Sequence, residues 1–330
     1  MFAHANFDQI TTADAALSNA RVFRALKHLP PSAVRRTILA ATFLETWLRW
    51  PLATLKLGDS IDATLAAVDR DGSRFGLDAG VKRQIKRRLL YDQLPDAIAF
   101  MSALDDNTSR ARAMTVTDTE ILDHQCESGP GAIVAGFRTG PYSAFPWALA
   151  AASGDRPVTM IVSYEGLAEI GRKLGQTFIP TLNKRVTFVS SQDPTVLAHS
   201  LAVLKTGGIV ATLLELSPVE FARKTTVDFL DWRIDVPYGL SYLSAATSRP
   251  VVPAAITQRK GTRFRLRFHE PIPAPARNPE SMQAQTQLLY SQLDRHVRRF
   301  PAQWPGWLIL DSNMGIQLPI AGGQPLAAPF

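Results

Sequence analysis

The alternation of short apolar segments with helical stretches after about residue 130 constrains the fold of this chain most. Strands are predicted at 132–137, 158–163, 185–190, 208–215, 226–231, 251–256 and 263–270. Helices are predicted at 142–153, 165–174, 194–206, 238–247 and 279–300. Such alternation is typical of α/β proteins, in which helices cover the faces of a sheet. We therefore predict an α/β domain over residues 116–330.

The first third of the chain has a different pattern. Apolar residues recur there at spacings of three and four, as in "DATLAAVDRD" and "VKRQIKRRLLYDQLPDAIAFM". This spacing predicts helices, and Asp78 is placed to cap one of them at its N-terminus. Residues 1–115 are thus predicted to form a helical leader that packs on or precedes the core. The expected fold class is α/β, a helical leader followed by a mixed central sheet flanked by helices.

The charge of the chain bears on its partners. A formal net charge of +7 suggests an anionic partner, such as a phosphate-bearing membrane, nucleic acid or an acidic carrier protein. The basic run from Lys82 to Arg88 could hold phosphates or a carrier protein, or it could be a solvated helix face. No helix-turn-helix, zinc finger or ribonucleoprotein aromatic motif is present, so we expect no nucleic-acid partner.

The most membrane-like stretch is Thr37–Leu57, "TILAATFLETWLRWPLATLKL". Glu45 and Arg49 interrupt it, and charges in the middle of a span are costly, so it is not expected to cross a bilayer. We interpret it as an amphipathic helix whose Trp47 and Trp50 lie either in the core or at a membrane surface. No secretory signal pattern opens the sequence. The expected location is cytoplasmic, with a peripheral position on the inner face of the cell membrane left open.

Several kinds of site are excluded by pattern. The single cysteine, Cys126, and histidines without metal-ligand spacing argue against a metal site. Neither a Walker loop nor a Gly-x-Gly-x-x-Gly motif occurs, and we expect no cofactor. Gly207 and Gly208 fit the C-terminal cap of a helix better than a phosphate loop. A Gly-x-Ser-x-Gly nucleophile elbow is also missing.

The order of the segments from about residue 20 to 312 resembles the lipid A biosynthesis lauroyl/myristoyl acyltransferase family, within the lysophospholipid acyltransferase-like class. In that family a Gly-Gly strand leads to an Asp-Gln pair, a Val-Pro segment starts a helix, a Val-Val-Pro strand follows, and a Pro-Glu-Gln-Trp signature closes the domain. The residues here that match this order are Gly207, Gly208, Glu215, Phe229, Pro237, Gly239, Arg249–Pro253, Pro301, Gln303, Trp304 and Trp307.

The resemblance implies an activity and its partners. Members of the family move a fatty acyl chain from an acyl carrier protein or acyl-CoA thioester to a lipid or other small acceptor. In the family, a histidine after the first strand takes a proton from the acceptor hydroxyl, and an acid five positions later orients it. Phe137 and Tyr142 stand at these two positions here. A phenyl ring cannot accept a proton, and a phenol with a pKa near 10 replaces the acid poorly at neutral pH.

The turn after the first strand is therefore expected to be a pocket wall with altered chemistry. Its candidate site residues are Phe137, Arg138, Thr139, Tyr142 and Ser143, and Arg138 or backbone amides near Gly140 could stabilise an oxyanion. Three interpretations stay open: an acyltransferase with a rewired site, a non-catalytic relative that binds acyl chains, a carrier protein or a membrane, and an unrelated α/β protein that binds an anionic surface. The residues expected to bind substrate are Glu215, Arg172, Phe229 and Tyr238.

Overall fold

The computed structural model describes residues 30, 32–40, 59, 61–62, 65–66, 77–129, 131–214 and 223–308. Helix α1 covers residues 32–40. Helix α2 (Ala79–Arg87) continues through a π-helical turn (Arg88–Asp92) into α3 (Gln93–Leu104), and α4 (Asn107–Ala113) follows. The Asp78 side chain accepts a hydrogen bond from the Val81 amide at 2.8 Å, which confirms the predicted N-cap.

The strands are β1 (Met114–Thr117), β2 (Ala132–Phe137), β3 (Val158–Val162), β4 (Val186–Ser190), β5 (Ile209–Leu213), β6 (Lys224–Phe229), β7 (Trp232–Pro237), β8 (Val251–Lys260) and β9 (Arg263–Phe268). Seven of them form one sheet in the order β1-β9-β8-β2-β5-β3-β4, and β6 and β7 pair in a separate hairpin. Neighbours from β8 to β4 run parallel, whereas β9 is antiparallel to β8, and β1 is parallel to β9. The predicted mixed α/β sheet is thus confirmed.

Helices connect the strands and cover both faces of the sheet. They are α5 (Thr119–Glu127), α6 (Phe145–Ala152), α7 (Glu165–Phe178), α8 (Pro180–Asn183), α9 (Val196–Lys205), α10 (Gly239–Thr247) and α11 (Pro279–Arg299), with 3₁₀ turns at Tyr142–Ala144, Pro301–Gln303 and Pro305–Leu308. As predicted, α9 ends at a glycine cap. Gly207 has a φ of +80°, and the Gly208 amide donates to the Val203 carbonyl at 3.0 Å.

Two hydrophobic layers hold the sheet. On one face Val134 and Phe264 pack with Phe100 of α3, so this part of the helical leader lies directly on the sheet. On the other face Ile133, Ala135 and Phe137 pack with residues of α11, namely Leu289, Leu293 and Val297. Phe137 therefore lies under the last long helix of the chain.

Some elements differ from the prediction. Strands β1 and β7 and helix α5 were not predicted, and β6 begins earlier than expected. Leu288 of α11 is 54% exposed because it lies on the side of the helix away from Leu289 and Leu293. No helix in the described ranges is long and apolar enough to cross a membrane. The predicted interfacial residues Trp47 and Trp50 lie outside the described ranges.

Candidate functional site

The candidate site lies at the C-terminal end of β2, in the middle of the sheet. Ligands of open α/β sheets commonly bind beyond the C-terminal ends of parallel strands. Phe137 ends the strand opposite Ala255 of β8, and the chain then turns at Gly140, whose φ is +57°. The turn thus follows directly where the sequence predicts the strand to end.

Hydrogen bonds fix the backbone of the turn. The Thr139 amide donates to the Phe137 carbonyl at 2.8 Å, and the Thr139 hydroxyl donates to the Ile256 carbonyl of β8 at 2.9 Å. A Cβ atom added to Gly140 would lie 2.7 Å from that same Ile256 oxygen. Glycine is therefore required at this position, both for its positive φ and for the close approach to β8.

Gln303, from the closing signature of the chain, joins this turn to β8. Its carbonyl accepts a hydrogen bond from the Gly140 amide at 2.9 Å. Its side-chain oxygen accepts from the Gln258 amide at 2.7 Å, and its side-chain nitrogen donates to the Gln258 carbonyl at 3.0 Å. Trp304, next in the signature, is fully buried. Two motifs that are far apart in the sequence thus form one rigid corner.

Two histidine rings contact the side chain of Phe137, which is 1% exposed. His269 follows β9, and its ring centroid lies 6.0 Å from that of Phe137. His296 comes from α11, with its centroid 5.7 Å from Phe137 and 6.4 Å from His269. The ring planes of the two histidines are nearly perpendicular, at 87°. Imidazoles from two other elements therefore meet at the side chain of Phe137.

Both imidazoles have an enclosed nitrogen. The Nε2 atoms of His269 and His296 are buried and have no hydrogen-bond partner among the residues that the structure describes. Burial, together with the nearby His269 and Arg299, lowers the pKa of His296 to about 3. A neutral imidazole offers one acceptor and one donor nitrogen. At neutral pH His296 is thus an uncharged ring with a polar atom facing the protein interior.

His269 has a similar environment. Burial is the main reason that its pKa is lowered to about 4, and the positive charges of Arg267 and Arg295 add to the effect. Asp118 opposes the shift, but this carboxylate also pairs with Arg267 at 2.9 Å. Both histidines of the pair are therefore neutral under physiological conditions.

The polar side chains of the turn directly follow Phe137 in the chain. Arg138 is 8% exposed, and its guanidinium carbon lies 5.1 Å from the centre of the Tyr142 ring. This is a cation–π arrangement between two of the predicted site residues. Tyr142 and Ser143 begin the 3₁₀ turn and are half-buried, whereas Thr139 is fully buried.

The described residues that were expected to bind substrate lie on separate elements of the fold. Arg172 forms an ion pair with Glu165 on α7, which packs on edge strand β4, and two strands separate β4 from β2. Phe229 is buried between the rings of Tyr290 and Trp304, so it belongs to the core. Tyr238 is half-buried and directly precedes α10. Glu215 lies outside the described residues.

The basic run on α2 is only partly a solvated surface. Arg88 points inward to Asp96, at 3.3 Å, and hydrogen-bonds the Gln258 side chain. Arg35 of α1 donates to the same Asp96 at 2.6 Å. Asp96 is fully buried, and burial raises its pKa although both arginines oppose the shift. Arg88 thus ties α2 to β8, next to the segment that Gln303 holds.

Sequence reasoning missed the two histidines, because each is an isolated histidine far from the other along the chain. The alternation of β9 and the helical period of α11 place both on the same face of the sheet as Phe137, which is the signal that could have found them. In the described parts of the chain, no group of three or more His, Cys, Asp or Glu side chains could hold a metal ion. Neither a protein-family model nor a curated protein sequence matches this chain.

Proposed function

We propose that this protein is an acyltransferase with a rewired site. It transfers an acyl chain from a carrier-protein or coenzyme A thioester to a hydroxyl group on a lipid or other small acceptor. The observation that carries the proposal is the meeting of His269 and His296 at Phe137. One of these imidazoles takes the role that a histidine at position 137 has in the resembled family.

The reaction needs one proton acceptor. The imidazole accepts the proton of the acceptor hydroxyl while the oxygen attacks the thioester carbonyl, and a tetrahedral oxyanion forms. The carbon–sulfur bond then breaks, and the leaving thiolate takes the proton from the imidazolium. The products are an ester and a thiol. A positioned general base typically accelerates a reaction about 10²–10⁴-fold, and most when its pKa lies near the working pH. The entering acceptor must therefore raise the pKa of the imidazole from its buried value of about 3 or 4.

The Nε2 atoms of both histidines are enclosed, so an acceptor reaches them only when the side chains that cover them move aside. Catalytic hydrogen bonds are often incomplete before substrate binds. Arg138 lies next to this ring in the chain and is the cation of the turn that could stabilise the oxyanion.

A second candidate function is supported by the burial at this corner. Phe137 and Thr139 are closed off from solvent, and the segment 137–143 contains no carboxylate or imidazole. A non-catalytic relative would have such a packed corner and would bind acyl chains, a carrier protein or a membrane without turnover. In that protein the two histidines would serve only the packing of α11 on the sheet.

An assay of thioester consumption separates the two candidates. The purified protein is incubated with an acyl-carrier thioester or acyl-CoA and a panel of alcohols and amines, and the products are followed by mass spectrometry. Ester formation is expected from the rewired enzyme. Tight thioester binding without turnover would instead support the non-catalytic relative, particularly if Phe137→His/Tyr142→Glu then gains transfer. A protein that shows no thioester binding and no turnover would contradict both candidate functions.

A further inference from the structure

Strand β9 presents a row of arginines on one face. Phe264, Leu266 and Phe268 alternate with them and are buried in the core on the opposite face. Side chains alternate along a strand, so Arg263, Arg265 and Arg267 project from the face that α11 covers further along the sheet. Arg263 and Arg267 are exposed, and Arg265 is half-buried. The three arginines thus form a basic stripe about 13 Å long.

Helix α11 adds two more arginines beside this stripe. Arg295 and Arg299 are exposed and lie one helical turn apart. Their charges reach the histidine pair, since Arg295 acts on His269 together with Arg267, and Arg299 acts on His296. The members of this surface, here termed the arginine face, are Arg263, Arg265, Arg267, Arg295 and Arg299.

The positive charge of the arginine face is largely uncompensated. Within the described ranges, only Arg267 among its members has a carboxylate within ion-pair distance, namely Asp118 at 2.9 Å. Some arginines elsewhere have such a partner, as Arg35 has in Asp96. Like charges held close together repel one another, and a bound anionic surface would remove that repulsion.

An exposed apolar side chain lies on the same side of α11. Leu288 is 54% exposed and precedes Arg295 by seven residues and Arg299 by eleven. At 3.6 residues per turn, these spacings place all three side chains along one side of the helix. This side of the helix is turned away from the sheet, which Leu289 and Leu293 face. Binding at a membrane interface depends on apolar area and on attraction between basic residues and anionic lipids, and this side of the helix offers both.

We propose that the arginine face docks this protein on a membrane that contains anionic phospholipids. The charges lie along β9 and along the last turns of α11. Guanidinium groups bind phosphate oxygens through paired hydrogen bonds, which favours arginine over lysine in this role. Leu288 provides shallow apolar contact with the interface. This surface lies beside the histidine pair, but the inference does not depend on the acyltransferase activity.

The experiment measures binding of the full-length protein to vesicles of phosphatidylcholine, with and without phosphatidylglycerol. Each basic residue near an anionic surface contributes roughly a fivefold gain in binding. The variant Arg263→Gln/Arg265→Gln/Arg267→Gln is therefore expected to bind anionic vesicles on the order of 100-fold more weakly. Binding of the wild type should also weaken strongly in concentrated salt, because salt screens exposed charges.

The matched control is Arg83→Gln/Lys86→Gln/Arg87→Gln on α2, which removes the same net charge from another surface. It should bind almost as the wild type does. Circular dichroism establishes that each variant is folded, and if Arg265→Gln disturbs the strand, Arg263→Gln/Arg267→Gln/Arg299→Gln replaces the first variant. Equal losses in the two triple variants would overturn the proposal, as would wild-type binding that does not require the anionic lipid.

Two soluble polyanions identify the class of partner. Polyglutamate and single-stranded nucleic acid are added as competitors of vesicle binding. The proposal predicts that neither displaces the protein at charge concentrations equal to those of the lipid. The contrary result is that one of these polyanions displaces the protein from vesicles and also fails to bind the variant Arg263→Gln/Arg265→Gln/Arg267→Gln. That result would assign the arginine face to an acidic protein or to nucleic acid.

Discussion

The buried histidine pair makes the stability of this protein sensitive to mild acid. The folded protein holds the pKa of His269 at about 4 and that of His296 at about 3, whereas an unfolded histidine has a pKa near 6.5. The unfolded chain therefore binds two protons that the folded protein resists. Stability is fully retained above pH 6.5 and falls as the pH decreases from there towards 3.

The size of the effect follows from these values. Between pH 8 and pH 5, each histidine is expected to reduce the free energy of unfolding by about 2 kcal/mol, or about 4 kcal/mol for the pair. Near pH 5 the slope approaches roughly 2.7 kcal/mol per pH unit, which corresponds to two protons. The folded protein cannot relieve this penalty easily, because Arg267, Arg295 and Arg299 surround the pair and Asp118 already pairs with Arg267.

Urea unfolding at a series of pH values between 8 and 5 measures this dependence. The variants are His269→Leu, His296→Leu and the double variant, with the exposed His124→Leu as the matched control. Carboxylates contribute to every variant alike, so the differences isolate the imidazoles. The double variant should lose about 4 kcal/mol less than the wild type over this range. A double variant whose free energy of unfolding has the same pH dependence as that of the wild type would show that the two histidines do not cause the loss of stability in acid.

Three substitutions test the contacts around the turn, each by the free energy of unfolding in urea. Gly140→Ala should destabilise the protein by more than about 1 kcal/mol, because a Cβ would meet the Ile256 carbonyl at a positive φ; an unchanged midpoint would contradict the described turn. Gln303→Leu should lower the free energy of unfolding by about 1–3 kcal/mol, because it leaves the Gln258 backbone groups unpaired. A smaller loss than for substitution of a surface glutamine would argue against these two hydrogen bonds. Asp96→Ala should cost about 3–5 kcal/mol, since it leaves partly buried arginines without their carboxylate; a neutral effect would show that the network is not formed.

The central strand and its turn could be predicted from the sequence because their signals are local. The apolar run Ala132–Phe137 ends at Thr-Gly-Pro, and the observed strand has the predicted bounds. The helix caps at Asp78 and Gly207 were also predicted correctly, since each depends only on neighbouring residues. Strand β1 was missed because it has only four residues, of which one is buried.

The contents of the corner could not be predicted in the same way. His269 and His296 meet Phe137 only through strand register and the placement of α11, which depend on the whole fold. The inward direction of Arg88 was not evident either, because the π-helical turn changes the angular spacing between it and Asp96. Local sequence patterns thus predict the strand and turn of the site, whereas the positions of its ionisable groups depend on tertiary packing.

The rate of acyl transfer in the His269→Gln/His296→Gln double variant tests the central claim most directly. Transfer from an acyl thioester to the best acceptor is measured for the wild type, the double variant and His124→Gln. If His269 or His296 is the general base, the double variant loses at least about 10²-fold in transfer rate. It retains thioester binding, and the His124→Gln control transfers at the wild-type rate. Equal transfer rates in the wild type and the double variant would contradict it.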